Sequence, residues 1–246
     1  GSSALAAVGA CAALTNVFIC IALGAGVGAG VLVSRYFGAR DYGKMKTIVS
    51  TSLISFLVLS ILLGIFGFCF SHSMMSLLQT PADILDEAVL YLRVYFVGFP
   101  FLFMYNILST MFTSIGESRI PLVLLIFSSV LNIFLDILFI VPFHMGVAGA
   151  AWATILSQFF SAVLSLVVGL KNFPILHLHR EDFTDLKDTA VLHLKTGFPM
   201  GFQMSVMCIG QLAMQTVVNS LGTAAVAGYT AASKADQLSV LVNNAM

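Results

Sequence analysis

The sequence contains unusually little charge. Only 9% of its 246 residues are Asp, Glu, Lys or Arg, whereas 59% are hydrophobic and the mean hydropathy is +1.01. Soluble domains carry about 25% charged residues, so a soluble core is excluded and an all-α, polytopic membrane protein is expected. The formal net charge is zero, so no overall basic field would attract nucleic acid, and no nucleic-acid partner is expected.

Cysteine is also scarce, and its pattern is not that of a disulfide framework or a metal site. The four cysteines stand singly in apolar segments, at Cys11, Cys20, Cys69 and Cys208. They form no CxxC pair and show no metal-ligand spacing. We interpret them as small core residues.

The apolar residues fall into seven segments long enough to cross a bilayer, for which about 20 helical residues suffice. The predicted spans are residues 5–34, 47–73, 86–112, 119–142, 147–170, 196–220 and 224–246. Alternate connections carry nine of the 11 Lys and Arg residues: four in 35–46, then Arg119, then four in 171–195. The positive-inside rule therefore predicts that loops 35–46 and 171–195 are cytoplasmic.

One span carries a carboxylate inside an otherwise apolar run. Ser128, Asn132 and Asp136 are four residues apart, so they line one face of a helix. An ionisable residue inside a membrane span costs roughly 2.5–3.5 kcal/mol on insertion scales and usually faces the bundle interior or a wet cavity. This stripe is therefore a predicted functional site, and the alternative is an Asp held by Asn132 for packing alone.

The next span carries a second polar stripe, formed by Thr154, Gln158 and Ser161. Counted from the intervening turn, Asp136 and Thr154 fall at nearly equal depth, so the two stripes would form one cation or proton pocket. Tyr91 and Tyr95 on the preceding span fall near that depth. They are interpreted either as hydroxyl donors to the pocket or as interfacial aromatics.

Glycine and proline predict close packing and kinks in three spans. Gly24 and Gly28, and Gly26 with Gly30, form overlapping GxxxG pairs, which favour close approach of helices in a membrane. No strand precedes them, so a dinucleotide-binding loop is excluded. Pro100 and Pro199 are predicted to kink or begin their helices.

A weak internal repeat suggests two halves. The segment GSSALAAVGACAA from Gly1 is similar to GTAAVAGYTAASK from Gly222, with Ala6 matching Ala227. A full span precedes Gly222, so the repeat predicts a further helix before Gly1 and about twelve spans in two six-helix lobes. We accordingly assign residues 1–170 to an N-terminal lobe, 171–195 to a cytoplasmic linker and 196–246 to the start of a C-terminal lobe.

Several segments resemble the multidrug and toxic compound extrusion (MATE) family. They are GVLVSRYFGA, FTSIGESRIPL, LNIFLDILFI and GVAGAAWATILSQ, and the likeness runs from the second family helix into the eighth. The resemblance implies two lobes around a central cavity in a bacterial inner membrane. It also implies export of small amphiphilic compounds in exchange for sodium ions or protons, with no other cofactor.

The resemblance further implies roles for particular residues. The family's Asn and Asp on the fifth helix match Asn132 and Asp136, and a Thr on the sixth matches Thr154, so these three would hold sodium in a sodium-coupled protein. The family often has a basic residue at Lys234. Lys234 and Asp236 do not share a helix face, so they are interpreted either as cavity residues or as charges neutralised by other helices.

Two other functions were weighed. A flippase for lipid-linked oligosaccharides, from the same superfamily, would place several basic residues in its cavity, whereas the spans contain only Arg93 and Lys234. A membrane enzyme would need paired acids or a nucleophile with its base, and the sequence shows no such set. The sequence therefore favours the exporter, and enzymatic activity is not expected. The remaining part of the same transporter is an expected partner of this chain.

Overall fold

The computed structural model describes residues 2–77, 82–172 and 186–220, and every regular element in this part of the chain is an α-helix. The helices are α1 Ser2–Gly38, α2 Tyr42–Leu77, α3 Ala82–Val97, α4 Phe99–Ser114, α5 Arg119–Ile140, α6 Gly146–Asn172 and α7 Leu186–Ser220. The chain divides into two compact units, Gly1–Met204 and Ser205–Met246. The bundle and the site described below belong to the first unit, and the predicted domain boundaries stay a prediction.

The helices agree with the predicted spans. Three are long and apolar enough to cross a membrane, Tyr42–Leu77, Arg119–Ile140 and Gly146–Lys171, and α3 with α4 makes a fourth as one broken span. Helices α1 and α7 contain the predicted spans 5–34 and 196–220, and the prediction for 224–246 lies outside the described residues. Because α7 begins at Leu186, the second half of the predicted linker is helical and continuous with the next span.

The bend between α3 and α4 is explained by its sequence. The two helices meet at 50°, with Gly98 between them and Pro100 at the start of α4. Pro100 has no N–H to donate to the preceding turn, so the helical hydrogen bonds are interrupted there. The predicted kink at Pro100 is confirmed. Pro199 lies inside α7 and does not begin it.

The glycines of α1 allow two neighbouring helices to approach closely. A Cβ on Gly24 or Gly28 would collide with the backbone of Gly201 or Gly197 in α7, and a Cβ on Gly30 would lie 2.7 Å from Thr110 Cγ2 in α4. The predicted role of the GxxxG pairs in close helix packing is therefore confirmed.

The interior of α1 to α4 is rich in aromatic rings. Phe96, Phe99 and Phe103 are fully buried, and their ring centroids follow one another at 5.1 and 5.2 Å. Phe18 of α1 meets Phe96 edge-on at 5.0 Å, a geometry that aromatic rings prefer. Cys11 is buried beside this core as predicted. Cys69 is exposed on α2, so its interpretation as a core residue is wrong, because that face of α2 points out of the bundle.

With α3 and α4 counted as one broken span, successive spans run in opposite directions, so the turns at residues 38–42 and 115–118 lie at one end of the bundle. This basic end carries Arg35, Arg40, Lys44 and Arg119, and Lys44 pairs with Asp41 at 3.5 Å. The opposite end holds the turn at residues 141–145, the end of α2 at Leu77 and the start of α3 at Ala82.

Candidate functional site

The polar stripe of α5 faces the bundle, as its spacing predicts. Ser128 is buried, and Asn132 and Asp136 are half-buried, whereas Ile133 and Phe134 on the outer face are both 61% exposed. Asp136 lies four residues before the helix ends at Ile140. It is therefore nearer to the opposite end of the bundle than to its middle.

The stripe contains polar atoms that are buried without hydrogen-bond partners. These atoms are Asp136 Oδ1 and Asn132 Nδ2. Leaving a buried polar group unpaired costs about 1–3 kcal/mol, and more for a charged group, so such atoms mark a place where another group is expected to bind.

Two observations indicate the register between α5 and α6. A Cβ on Gly149 would lie 3.1 Å from Phe139 Cβ, and Leu124 and Ala162 belong with Tyr105 to one small buried cluster. In an antiparallel pair, each step along α5 is matched by a step back along α6. Between these contacts Asn132 is therefore level with residues 154–156, and Ser128 with residues 158–160.

This register refines one expectation from the sequence. Thr154 is level with residues 132–134 and lies about 3–6 Å nearer the basic end than Asp136 does, so the two are at similar but not equal depth. Counting residues from the turn assumed that both helices begin at the same level. The turn is asymmetric, because α5 ends at Ile140 and α6 begins at Gly146 after the bond from Met145 N–H to the Phe139 carbonyl.

A small cavity joins the polar face of α6 to the break between α3 and α4. It has a volume of about 10 Å³ and is lined by Tyr95, Gly98, Leu102, Thr154, Ile155 and Gln158. That volume accommodates about one water-sized guest. Thr154 Oγ1 donates to the Ala150 carbonyl at 3.0 Å, whereas Gln158 Oε1 is buried without a partner.

Two tyrosines of α3 lie at this cavity. Tyr95 is buried and lines the cavity, and its ring stacks on that of Tyr91 with centroids 6.0 Å apart. Asp136 is not among the residues that line the cavity. The structure thus brings Tyr95, Thr154 and Gln158 together directly and places Asp136 outside this set.

The remaining predicted residues have different placements. Ser161 is buried and its hydroxyl has no partner, but it lies on α6 beyond the cavity, toward the basic end. Lys234 and Asp236 lie outside the described residues. The predicted set is therefore one polar seam along α3, α5 and α6 rather than one pocket.

Sequence reasoning missed two residues of this seam, Glu87 and Ser165. Glu87 Oε2 on α3 and Ser165 Oγ on α6 are both buried without partners. Their signal was present in the spacing, because Glu87 precedes Tyr91 and Tyr95 at intervals of four, and Ser165 follows Ser161 at the same interval. Glu87 was missed because it follows an acidic segment that reads as part of a loop. Ser165 was missed because its sequence neighbours are apolar.

Helical membrane architecture with a buried polar seam at a broken span is typical of transporters. The MatE family model matches residues 1–138, and the chain belongs to this family. It is 33% identical over 241 residues to the probable multidrug resistance protein YpnP of Bacillus subtilis. The matched residues cover 98% of this chain and 54% of that protein. It is 29% identical over 204 residues to the multidrug export protein MepA of Staphylococcus saprophyticus, covering 83% of this chain and 45% of the relative.

Solved structures agree with this assignment. A MATE transporter in a bent conformation matches with a TM-score of 0.87 at 26% identity, over 97% of this chain and 54% of that one. The chain thus spans about half the length of the relatives it matches. The predicted fold class is confirmed: this is an integral membrane protein, all-α and polytopic, that corresponds to about half of a MATE transporter.

Proposed function

We propose that this chain forms the N-terminal part of an antiporter that exports small amphiphilic compounds in exchange for sodium ions or protons. One observation carries the proposal: Asp136 Oδ1 and Asn132 Nδ2, one helical turn apart on α5, are buried without hydrogen-bond partners. The multidrug resistance and export proteins among its relatives support the choice of cargo. No other cofactor is proposed.

The chemistry of the seam suits a small cation. A carboxylate in a bilayer has to be neutralised, and either a proton or a sodium ion does this. Asp136 would supply the charge, and Asn132 an amide oxygen, since the two ends of an amide exchange by a flip. Thr154 and Tyr95 offer oxygens at the cavity. Tyr91, whose ring stacks on that of Tyr95, adds a further hydroxyl on α3.

The position of the cavity gives a way to connect ion binding to movement. Gly98, at the bend of the broken span, lines the cavity with Thr154 and Gln158. A change in the charge or occupancy of the seam would alter the packing of α6 against this bend. An exchanger needs such a coupling, because the ion can shift the equilibrium only if it binds two conformations differently.

The basic end is proposed to be cytoplasmic, and the membrane to be a bacterial inner membrane, since the relatives named above come from bacteria. Arg40 is exposed in the turn between α1 and α2. A single cysteine at this position, on a cysteine-free background, should be labelled by an impermeant reagent only after the cells are opened. Labelling from outside intact cells would reverse the topology.

The flippase predicted as the alternative is not supported by the described residues. It would need cations facing the polar seam. Arg93 lies two residues from Tyr91, on the other side of α3, and its guanidinium contacts Ser71 and Phe68 of α2. The charged residues that the seam does contain, Asp136 and Glu87, are acids.

The function is tested with the full-length protein in proteoliposomes. Sodium and pH gradients are imposed separately, and efflux of a cationic dye is followed. One of the two gradients should drive dye transport against its concentration gradient, and dye should in turn drive movement of that ion. Dye transport that depends on neither the sodium gradient nor the pH gradient would contradict the proposal. Translocation of a lipid-linked oligosaccharide would favour the flippase.

A further inference from the structure

A groove on the outside of the bundle, on the far side of α3 and α4 from the polar seam, has no role in the proposed transport. It has a volume of about 230 Å³ and lies between α2 and the broken span. Its walls are apolar and include Ile61, Ile65 and Phe68 of α2 with Val97 and Pro100 of the broken span. We propose that this groove holds an acyl chain of an anionic phospholipid whose phosphate binds Arg93.

The groove is part of the helix packing and not a chance gap between side chains. Gly64 and Gly67 of α2 lie against Phe96 of α3, and a Cβ on Gly64 would come within 2.9 Å of the Phe96 carbonyl oxygen. This close approach brings the two helices together at one level. The 50° bend at Gly98 then turns the broken span, and the groove lies at that bend beside Pro100.

Arg93 stands at the mouth of the groove. It lies one helical turn before Val97 on the same face of α3, and its guanidinium carbon is 5.7 Å from the centroid of the Phe68 ring. Its Nε donates to Ser71 Oγ at 3.2 Å. These two contacts hold the planar group over the apolar wall and leave its other N–H groups available, in the two-pronged arrangement that binds phosphate.

The level of Arg93 along the bundle matches a lipid headgroup. The apolar run of α2 ends at Phe70 and is followed by Ser71, His72 and Ser73, so Ser71 lies where the span leaves the hydrocarbon. Arg93 is bonded to Ser71 and therefore sits at the same boundary. An acyl chain that enters the groove below would place its phosphate at this level.

The charge around Arg93 favours an anionic occupant. Within the described part of the chain the one ion pair joins Lys44 to Asp41, so Arg93 has no carboxylate partner there. Asp86 is the acid on the same face of α3, and it lies two turns away, a rise of about 10 Å, which is close to one Debye length at 0.1 M salt. The positive charge at the groove is thus left for a ligand to neutralise.

A lipid at this place would also bear on transport, a consequence that rests on the function proposed above. Val97 and Pro100 line the groove, whereas Gly98 between them lines the cavity of the polar seam. A bound chain would therefore support the bent form of the broken span from the outside. The dependence of transport on anionic lipid should be weaker in a variant that cannot hold the lipid.

Binding is measured by native mass spectrometry on the full-length protein, titrated with phosphatidylglycerol or phosphatidylcholine. Arg93→Gln should weaken the tightest phosphatidylglycerol site at least about fivefold, because charge-assisted hydrogen bonds are lost. Arg119→Gln is the matched control, since Arg119 is exposed at the basic end and remote from the groove. In Arg119→Gln the affinity of the tightest phosphatidylglycerol site should be unchanged.

A second pair of variants tests the groove itself. Cys69 is exposed and lines the groove, whereas Leu62 is 60% exposed on α2 and does not line it. Cys69→Trp should fill the groove and remove the same lipid, whereas Leu62→Trp should not. The proposal would be overturned if the protein bound phosphatidylcholine as tightly as phosphatidylglycerol. It would also be overturned if the affinity of the tightest phosphatidylglycerol site were unchanged in Arg93→Gln or in Cys69→Trp. None of these outcomes depends on transport, so failure here is distinct from failure of the proposed antiport.

Discussion

The first four helices and the α5–α6 hairpin differ in the kind of side chain that they turn toward the interior of the bundle. Between α1 and α4 the interior is filled by phenylalanine rings in contact and by glycines that let backbones approach. In α5 only Leu124 and Ser128 are buried, and the face it turns inward carries Asn132 and Asp136 with unpaired atoms. One region is packed for stability, and the other keeps polar atoms available.

This difference indicates how stability and ion coupling are divided. Dense aromatic packing tolerates little change of volume, so substitutions there should lower the free energy of unfolding. A seam of unpaired polar atoms contributes little to stability, or even reduces it, so its presence is better explained by binding. The broken span α3–α4 belongs to both regions, because Phe96 and Phe99 face the aromatic core and Tyr95 and Gly98 face the cavity.

The largest effect is expected for Asp136→Asn, which keeps the shape and removes the charge. Ion-coupled export should fall at least about tenfold, equivalent to about 1.4 kcal/mol, because neither a proton nor sodium can then be exchanged at this position. Membrane insertion should be at least as efficient as in the wild type, since a buried charge is gone. Gradient-driven dye efflux in proteoliposomes measures the first and membrane yield the second. Wild-type efflux with unchanged ion dependence would make Asp136 a packing residue.

Phe103→Ala should have the largest effect on stability. Phe103 is fully buried and its ring lies 5.2 Å from Phe99 and 6.3 Å from Phe56. Truncation of such a side chain costs about 3–5 kcal/mol in soluble cores. Thermal unfolding of the purified protein should shift accordingly, while the ion dependence of the remaining transport stays the same. Phe134→Ala, on the exposed face of α5, is the control and should barely change the unfolding temperature.

Gly98→Ala tests the element shared by the two regions. A Cβ at Gly98 would press on the Ile155 side chain, so the bend or the cavity has to change. We expect coupled transport to fall severalfold with a modest loss of stability, and the second substitution Ile155→Ala to restore part of the transport by making room. Transport that is not restored in the double variant would show that the contact with Ile155 is not the cause.

Smaller effects are expected for Asn132→Ala and Thr154→Ala, because each removes one neutral oxygen from the seam. We expect the ion concentration for half-maximal transport to rise about twofold to tenfold, by analogy with the loss of a single hydrogen bond of about 0.5–1.5 kcal/mol. Ser129→Ala is the control on α5, since Ser129 is exposed and bonds only to the Leu125 carbonyl. Equal effects of Ser129→Ala and Asn132→Ala would mean that the seam has no special role.

The sequence by itself determined the class of the fold and the polar faces. Low charge and long apolar runs permit only helices in a bilayer, because backbone groups there must pair within their own segment. Four-residue spacing placed Ser128, Asn132 and Asp136 on one face, and spacings of four and three residues placed Thr154, Gln158 and Ser161 on another. Pro100 predicted the break between α3 and α4. Each of these is a local property, fixed by the period of the helix and by the missing N–H of proline.

Only the tertiary structure decided which of these faces meet and at what level. The contact of Phe139 with Gly149 sets Thr154 level with Phe134, between Asn132 and Asp136, and at the bend beside Gly98 both Tyr95 and Gln158 line one cavity. It also directs Arg93 away from the seam and onto Phe68 and Ser71, and it brings Glu87 and Ser165 into burial. The sliding and rotation of one helix against another depend on interlocking side chains from distant parts of the chain, and no local period records them.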